Sequence, residues 1–288
     1  MKVTVKKFVP ILFIMIGFVL LAYPWISEYL FENRTDSILH TYESAANDTE
    51  DEEKQAMLEE AKQYNRQLSQ AQVTLTDPFT REETGGGEFD YYSVLALDDS
   101  GLMAAIEIPK IAVNLPVYHG TAAKVLESGI GHLEGSSIPI GGESSHAVLS
   151  GHTGLNSAKL FTDLTELAEG DLFFIHVLGD TYAYKVSEIR VVLPEDTSKL
   201  LVQDGKDLVT LVTCTPYGVN SHRLLVTGSR TEYIEEVYEE TVRQGSTGTE
   251  SLWMRSYKKA VLIGLAVVFG FAFILLIFNK LKKYYVEC

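Results

Sequence analysis

Two uninterrupted apolar runs bracket this chain, and between them the spacing of hydrophobic positions changes character several times. Phe8 to Ile26 (FVPILFIMIGFVLLAYPWI) and Ala260 to Phe278 (AVLIGLAVVFGFAFILLIF) each hold about 19 residues without a charge, enough for one helical bilayer crossing. From Asn33 to Gln72 the apolar positions Ile38, Leu39, Tyr42, Met57, Leu58, Ala61, Tyr64 and Leu68 fall at helical spacing. That spacing predicts two amphipathic helices, broken near AANDTED and packed on the main domain. Thr74 to Tyr92 (TLTDPFTREETGGGEFDYY) carries Asp-Pro and three consecutive glycines, the chemistry of a mobile loop. From Ser93 to Arg230 short β-branched runs follow one another: MAAIEIPKI, NLPVYHG, HAVLSGH, DLFFIHVL, TYAYKVSEIRVVL, DLVTLVTC and HRLLVTG. Turn residues separate them, and short helical stretches near Thr121 to Ser128 and Ala158 to Leu167 interrupt them. Such texture predicts a mainly β fold, a closed barrel or a sandwich.

These changes set the expected organisation: a leader at 1–7, a transmembrane helix at 8–27 and a helical extension at 28–73. A covering loop follows at 74–92, a β domain at 93–230, an acidic tether at 231–256, a second transmembrane helix at 258–279 and a tail at 280–288. A cleaved signal peptide is the alternative for the first run, but no small-x-small site follows it, so it reads as an uncleaved anchor. The basic leader, with Lys2, Lys6 and Lys7, places the N-terminal side in the cytoplasm by the positive-inside rule. Two crossings then put both termini in the cytoplasm and the middle outside the cell membrane.

Charge narrows the partners. A formal net charge of −15 over 288 residues argues against nucleic acid, whose phosphates require basic patches. With this topology the two cysteines, Cys214 and Cys288, lie on opposite sides of the membrane and cannot pair within one chain. An unpaired exported thiol is either a buried apolar side chain or a reactive one.

The neighbours of Cys214 favour the second account. In TLVTCTPYGVNSHRLLVTGSR, an antiparallel hairpin over Thr210 to Arg230 sets Cys214 opposite Arg223, Val212 opposite Leu225 and Thr210 opposite Thr227. Directly opposed residues share a face, so thiol and guanidinium share one surface. Nearby positive charge favours a thiolate, and a fixed fork of N–H donors suits an oxyanion. A base is still required. Of seven histidines, His119, His132 and His176 lie in strand or turn texture, and His222 points away from Arg223 by strand alternation. His152, between glycines just past an apolar run in HAVLSGHTGL, sits where side chains meet a shared cleft.

These motifs together resemble the sortases: TLVTC, the spaced arginine of HRLLVTG, HAVLSGHTG upstream, and EIPKI with LPVYHGT before that. The resemblance covers about residues 93 to 230 and implies an eight-stranded sortase β-barrel and a cysteine transpeptidase. It implies Cys214 as nucleophile, His152 as general acid/base, and Arg223 as the group that stabilises the oxyanion and positions substrate. Asp77-Pro78-Phe79 resembles the lid of class C, pilus-assembling sortases, with Phe79 where tryptophan often stands. By that resemblance Asp77 engages Arg223 and Phe79 covers Cys214. The implied partners are pilin subunits carrying LPXTG-like sorting signals, cleaved between Thr and Gly and joined to a lysine amine of the next subunit. A wall-anchoring sortase that uses a wall-precursor amine is the alternative, and a non-catalytic membrane-held scaffold the remote one. No metal cluster or phosphate loop stands out, so no cofactor is expected, and scattered acidic residues read as a solvated face rather than a calcium site.

Overall fold

The computed structural model describes residues 2–71, 73–80, 91–155, 158–246 and 252–286, and it divides the chain into two compact units. The smaller comprises residues 1–23 and 250–288, and within it the Tyr257 hydroxyl donates to the Leu21 carbonyl over 2.7 Å. The larger, residues 24–249, carries the β domain. Among the described residues no helix is long and apolar enough to cross a membrane. Parts of both apolar runs, side chains 8–14 and several between 271 and 278, lie outside that description, as does Cys288.

The strands follow the alternating runs closely. They are β1 (Leu102–Ile108), β2 (Val113–His119), β3 (Ile130–His132), β4 (Ser145–Ser150), β5 (Leu172–Val177), β6 (Asp180–Val192), β7 (Asp207–Thr215) and β8 (His222–Arg230). They close a barrel in the order β1-β2-β3-β4-β7-β8-β6-β5. Most neighbours are antiparallel, but β2 with β3 and β4 with β7 run parallel. Parallel neighbours need long crossovers, and the β4–β7 crossover carries β5 and β6 to the far side of the barrel.

Alternation divides each strand between two surfaces. Ala147, Leu149, Val209, Leu211, Leu224 and Val226 join the barrel core with Ile106, Phe173 and Tyr184. Val148, Val212 and Leu225 face the other way and form a second cluster with Leu75, Leu133 and Leu200. That outer cluster is the floor of the site described below.

The helices differ from expectation in extent. Helix α1 (Lys2–Asp48) is continuous, so the first apolar run and the first amphipathic stretch form one helix. It breaks at Thr49 and Glu50, as predicted, before α2 (Asp51–Gln70). Both pack on the barrel through the expected stripe: Leu39, Tyr42, Ala61, Tyr64 and Leu68 are buried. Polar contacts fix the packing. The Tyr42 hydroxyl donates to Met103 O and accepts from Leu178 N, and the Asn65 amide both donates to and accepts from the backbone of Ile138. A short helix α3 (Ala123–Ser128) appears where one was expected, whereas 158–167 forms only a single 3₁₀ turn at Leu164–Glu166.

Two boundaries move. Tyr91, placed at the end of the covering loop, begins a 3₁₀ turn and is buried, its hydroxyl held by Gly120 N and by His132. The segment read as an acidic tether contains helix α4 (Glu235–Ser246), which lies against the barrel. Its Tyr238 ring meets Phe174 edge-on at 4.9 Å, and the Tyr238 hydroxyl donates to Glu107. Buried aromatic area turns a charged linker into a docked element.

Candidate active site

The β7–β8 ladder has the predicted register. Thr210 pairs with Thr227, Val212 with Leu225 and Cys214 with Arg223. The threonine pair is hydrogen-bonded through its hydroxyls at 2.8 Å, which marks this as one face. Cys214 therefore stands beside Arg223 at the strand ends, half-buried and free.

His152 reaches the same place by the parallel neighbour. Strand β4 pairs with β7 up to Ser150 opposite Val212. The register continues through Gly151, whose N–H donates to Val212 O and whose carbonyl accepts the Thr213 hydroxyl at 2.7 Å. Two residues beyond Ser150 bring His152 level with Cys214. A third bond, from Phe161 N to His152 O, holds the backbone as it leaves the strand. Strands β7 and β8 and the residues just past β4 thus bring cysteine, arginine and histidine to one end of one face.

The segment 73–80 covers that face. The Leu75 side chain is buried among Leu133, Val148, Leu200, Val212 and Leu225, and the Thr197 hydroxyl donates to Leu75 O. Farther along, Arg223 Nε donates to Asp77 Oδ1 at 2.8 Å and Nη2 to Asp77 Oδ2 at 2.7 Å. Nη1 donates to the carbonyls of Asn220 and His222. Thr80 N closes a turn on Asp77 O, with Pro78 inside it, where its fixed φ is favourable. The Phe79 ring then lies 5.1 Å from the guanidinium carbon and 5.6 Å from the His152 ring. Phe79 contacts two members of the trio directly.

This contact is not the near-solvent ion pair that an Asp-Pro turn in a glycine-rich loop suggests. Only 9% of the Arg223 side chain and 6% of that of Asp77 is exposed. A buried, bidentate pair has fixed geometry and little screening, although desolvation offsets much of its Coulombic gain, and removing one partner leaves an uncompensated charge. The closed lid also occupies the Nε–Nη2 edge of the fork, the donors an oxyanion would need.

Electrostatics describe a resting site. Burial pushes the Cys214 thiol up; Arg223 pulls against that and the Asp77 carboxylate reinforces it. Burial pushes His152 down, with Glu127 opposing. The hydrogen bonds that Arg223 donates to the Asp77 carboxylate raise its guanidinium. Under the lid, thiol and imidazole are both held toward their neutral forms, the less nucleophilic state of cysteine.

The remaining histidines have structural partners. His132 is fully buried between Tyr91 Oη and Ser137 O and pushed down to about 3. His119 bonds Gly101 O and Val94 O, His146 bonds Leu201 O and Thr210, and His176 bonds Thr181 and Glu107. Among the described residues no group of three or more His, Cys, Asp or Glu is placed to hold a metal ion. Leu75, Thr197 and Glu127 escaped the sequence reading. Leu75 was detectable only as an apolar residue two before Asp77; the others come from distant segments and carry no local signal.

Residues 106–231 match a family model described as the sortase domain. Sortase D of Bacillus subtilis is 34% identical over 128 residues, covering 43% of this chain and 62% of that protein. The chain thus spans about three fifths of the length of the first curated relatives it matches. Solved structures cover more. Sortase C-1 from Actinomyces oris is 46% identical, with 62% of this chain and 99% of that one aligned at a TM-score of 0.59. Sortase C1 of Streptococcus agalactiae is 39% identical, covering 71% and 99%, with a TM-score of 0.64. With a shared barrel, near-complete coverage of those relatives and identity of this order, the chain belongs to the sortase family.

Proposed function

We propose that this protein is a membrane-held class C sortase, a cysteine transpeptidase that polymerises pilins. The observation that carries this reading is the juxtaposition of Cys214 with Arg223, level with His152 and closed by Asp77 and Phe79. The names of the solved relatives point the same way: one is a sortase C1 of a pilus island, and another, from Streptococcus pneumoniae, is discussed for pilin substrate specificity.

The chemistry follows from the three groups. With the lid displaced, the Cys214 thiol passes its proton to His152, and Sγ attacks the threonine carbonyl carbon of an LPXTG-like signal. The resulting oxyanion faces the freed fork of Arg223, which supplies charge and two parallel donors. His152 gives a proton to the glycine nitrogen, the C–N bond breaks, and the acyl group remains as a thioester. A lysine amine of the next pilin then attacks that carbonyl, His152 takes its proton, and the Cys214 thiolate leaves. One amide is exchanged for another without oxidation or reduction, so the steps use only these side chains. The strand ends fix the geometry that makes the encounter effective.

The apolar runs support two crossings, at 8–27 and 258–279, with the catalytic unit outside the cell membrane and both termini inside. Mass analysis should find a sorting-peptide acyl adduct on Cys214 before any amine is added. Offered a pilin lysine and a wall-precursor amine together, the enzyme should join the acyl group to the lysine; transfer mainly to the wall amine would make it an anchoring sortase. Absence of any adduct on folded protein would remove the transpeptidase reading.

A further inference from the structure

One side chain on the lidded face has no role in the account above. Ser150 ends β4 two residues before His152. Its hydroxyl is fully buried and, among the described residues, has no hydrogen-bond partner. Most buried hydroxyls are satisfied, so an orphan calls for an explanation. Leaving one costs stability that an alanine would not.

The register fixes its direction. Ser150 pairs in parallel with Val212 and shares the face of Val148, the two residues whose side chains pack with Leu75 and Phe79. Its other neighbour, across β3, is Gly131. A side chain at Gly131 would collide with the Gly120 carbonyl at 2.4 Å and with Leu126 at 3.0 Å, so Gly120 and the start of α3 rise there as a wall. Ser150 therefore lies in the trough between that wall and the apolar floor, beneath the lid and next to the histidine.

The lid passes over this trough without bonding the hydroxyl. Its polar contacts with the barrel unit run instead from Leu75 O to Thr197 and from Asp77 to Arg223. An extended peptide replacing the lid on this floor brings main-chain carbonyls past every position of the trough. We propose that Ser150 is a substrate-binding residue: its Oγ–H donates to a backbone carbonyl of the sorting peptide, close to the scissile bond held at Cys214. The hydroxyl is unpaired at rest because its acceptor arrives with the substrate. Binding the peptide main chain in this way sets the register of the signal over Cys214, independently of side-chain recognition by the floor.

The inference rests on the transpeptidase reading, and the test separates the two. Full-length wild type and Ser150→Ala are compared for cleavage of a sorting peptide, for alkylation of Cys214 by a small thiol reagent, and for thermal stability. Loss of one neutral hydrogen bond predicts a fall in kcat/KM of about tenfold, carried mainly by KM. The alkylation rate should match wild type, and the Tm should be equal or higher, because an unsatisfied buried group has been removed. An unchanged kcat/KM overturns the proposal. So does a lowered Tm, which would mean that the hydroxyl holds the fold, or a parallel fall in alkylation, which would mean that the thiol has been disturbed. A wild-type enzyme that cleaves no sorting peptide sinks the transpeptidase reading itself.

Discussion

Two segments outside the strands are laid against the barrel, and they hold on by different means. The lid, residues 73–80, is held by one buried bidentate ion pair, the side chain of Leu75, and a ring set against Arg223 and His152. Helix α4 is held by aromatic packing of Tyr238 on Phe174 and by close backbone approach. At Gly245 even a Cβ would lie 2.2 Å from the Pro109 carbonyl, so only glycine lets helix and turn meet. The lid's main partner is a charged residue that the proposed chemistry needs for itself. The partners of α4 are the Phe174 ring, the Pro109 backbone and the Glu107 carboxylate, none of which the proposed chemistry uses. A cover that competes for a site group can be exchanged for a ligand that competes for the same group. A helix seated by shape has no such rival.

That contrast can be broken in graded steps. The largest effect is expected from Cys214→Ala, which should reduce sorting-peptide cleavage to background while leaving the barrel folded. Tyr238→Phe, a change of similar size under α4, should retain activity. Wild-type cleavage by folded Cys214→Ala would remove the thiol as nucleophile.

Next in size is the lid. Replacing Asp77 and Phe79 together by alanine removes the ion pair and the covering ring, and a loss of even ~1.4 kcal/mol of closing energy exposes the thiol about tenfold more often. Alkylation of Cys214 should therefore accelerate by roughly tenfold or more. Equal rates at matched folded fraction would mean that the segment does not gate the site.

Gly245→Val should act in the opposite sense. Forcing a side chain against Pro109 costs about 1–3 kcal/mol, a drop in Tm of roughly 5 °C, with the Cys214 alkylation rate unchanged. A faster rate would join the two segments into one device and erase the distinction between them.

The smallest effect concerns pH. In the closed protein burial and Asp77 raise the thiol against the pull of Arg223. The pH midpoint of Cys214 alkylation should thus lie above that of an ordinary thiol. Removing the lid lifts both raising causes and leaves the arginine, so the midpoint should move down in the Asp77/Phe79 double variant. A midpoint that stays or rises would show that something other than the lid sets the thiol's environment.

Much of this is legible in the sequence. Alternation along DLVTLVTC and HRLLVTG places Cys214 opposite Arg223 because an antiparallel ladder with a short connection permits few registers. The stripe from Leu39 to Leu68 marks the packed face of α1 and α2 for the same kind of reason, a period of 3.6. Other features were not legible. Nothing local tells that β4 lies parallel to β7, since that pairing joins segments about 60 residues apart with two strands of the barrel between them in the chain. The charge of 231–251 reads as a tether because helix docking depends on Phe174, Glu107 and Pro109, which the segment itself does not contain.

The sequence by itself determined which side chains are candidates for the proposed chemistry and which periods build strand and helix, because residue type and spacing are local properties. Tertiary structure alone decided that His152 comes level with Cys214, that the Asp77–Arg223 pair is buried rather than wet, and that Ser150 has no partner among the described residues. Each of these depends on burial and on neighbours supplied by distant segments. Both the strength of an ion pair and the cost of an unpaired hydroxyl are set by the surrounding dielectric, which only the folded chain creates.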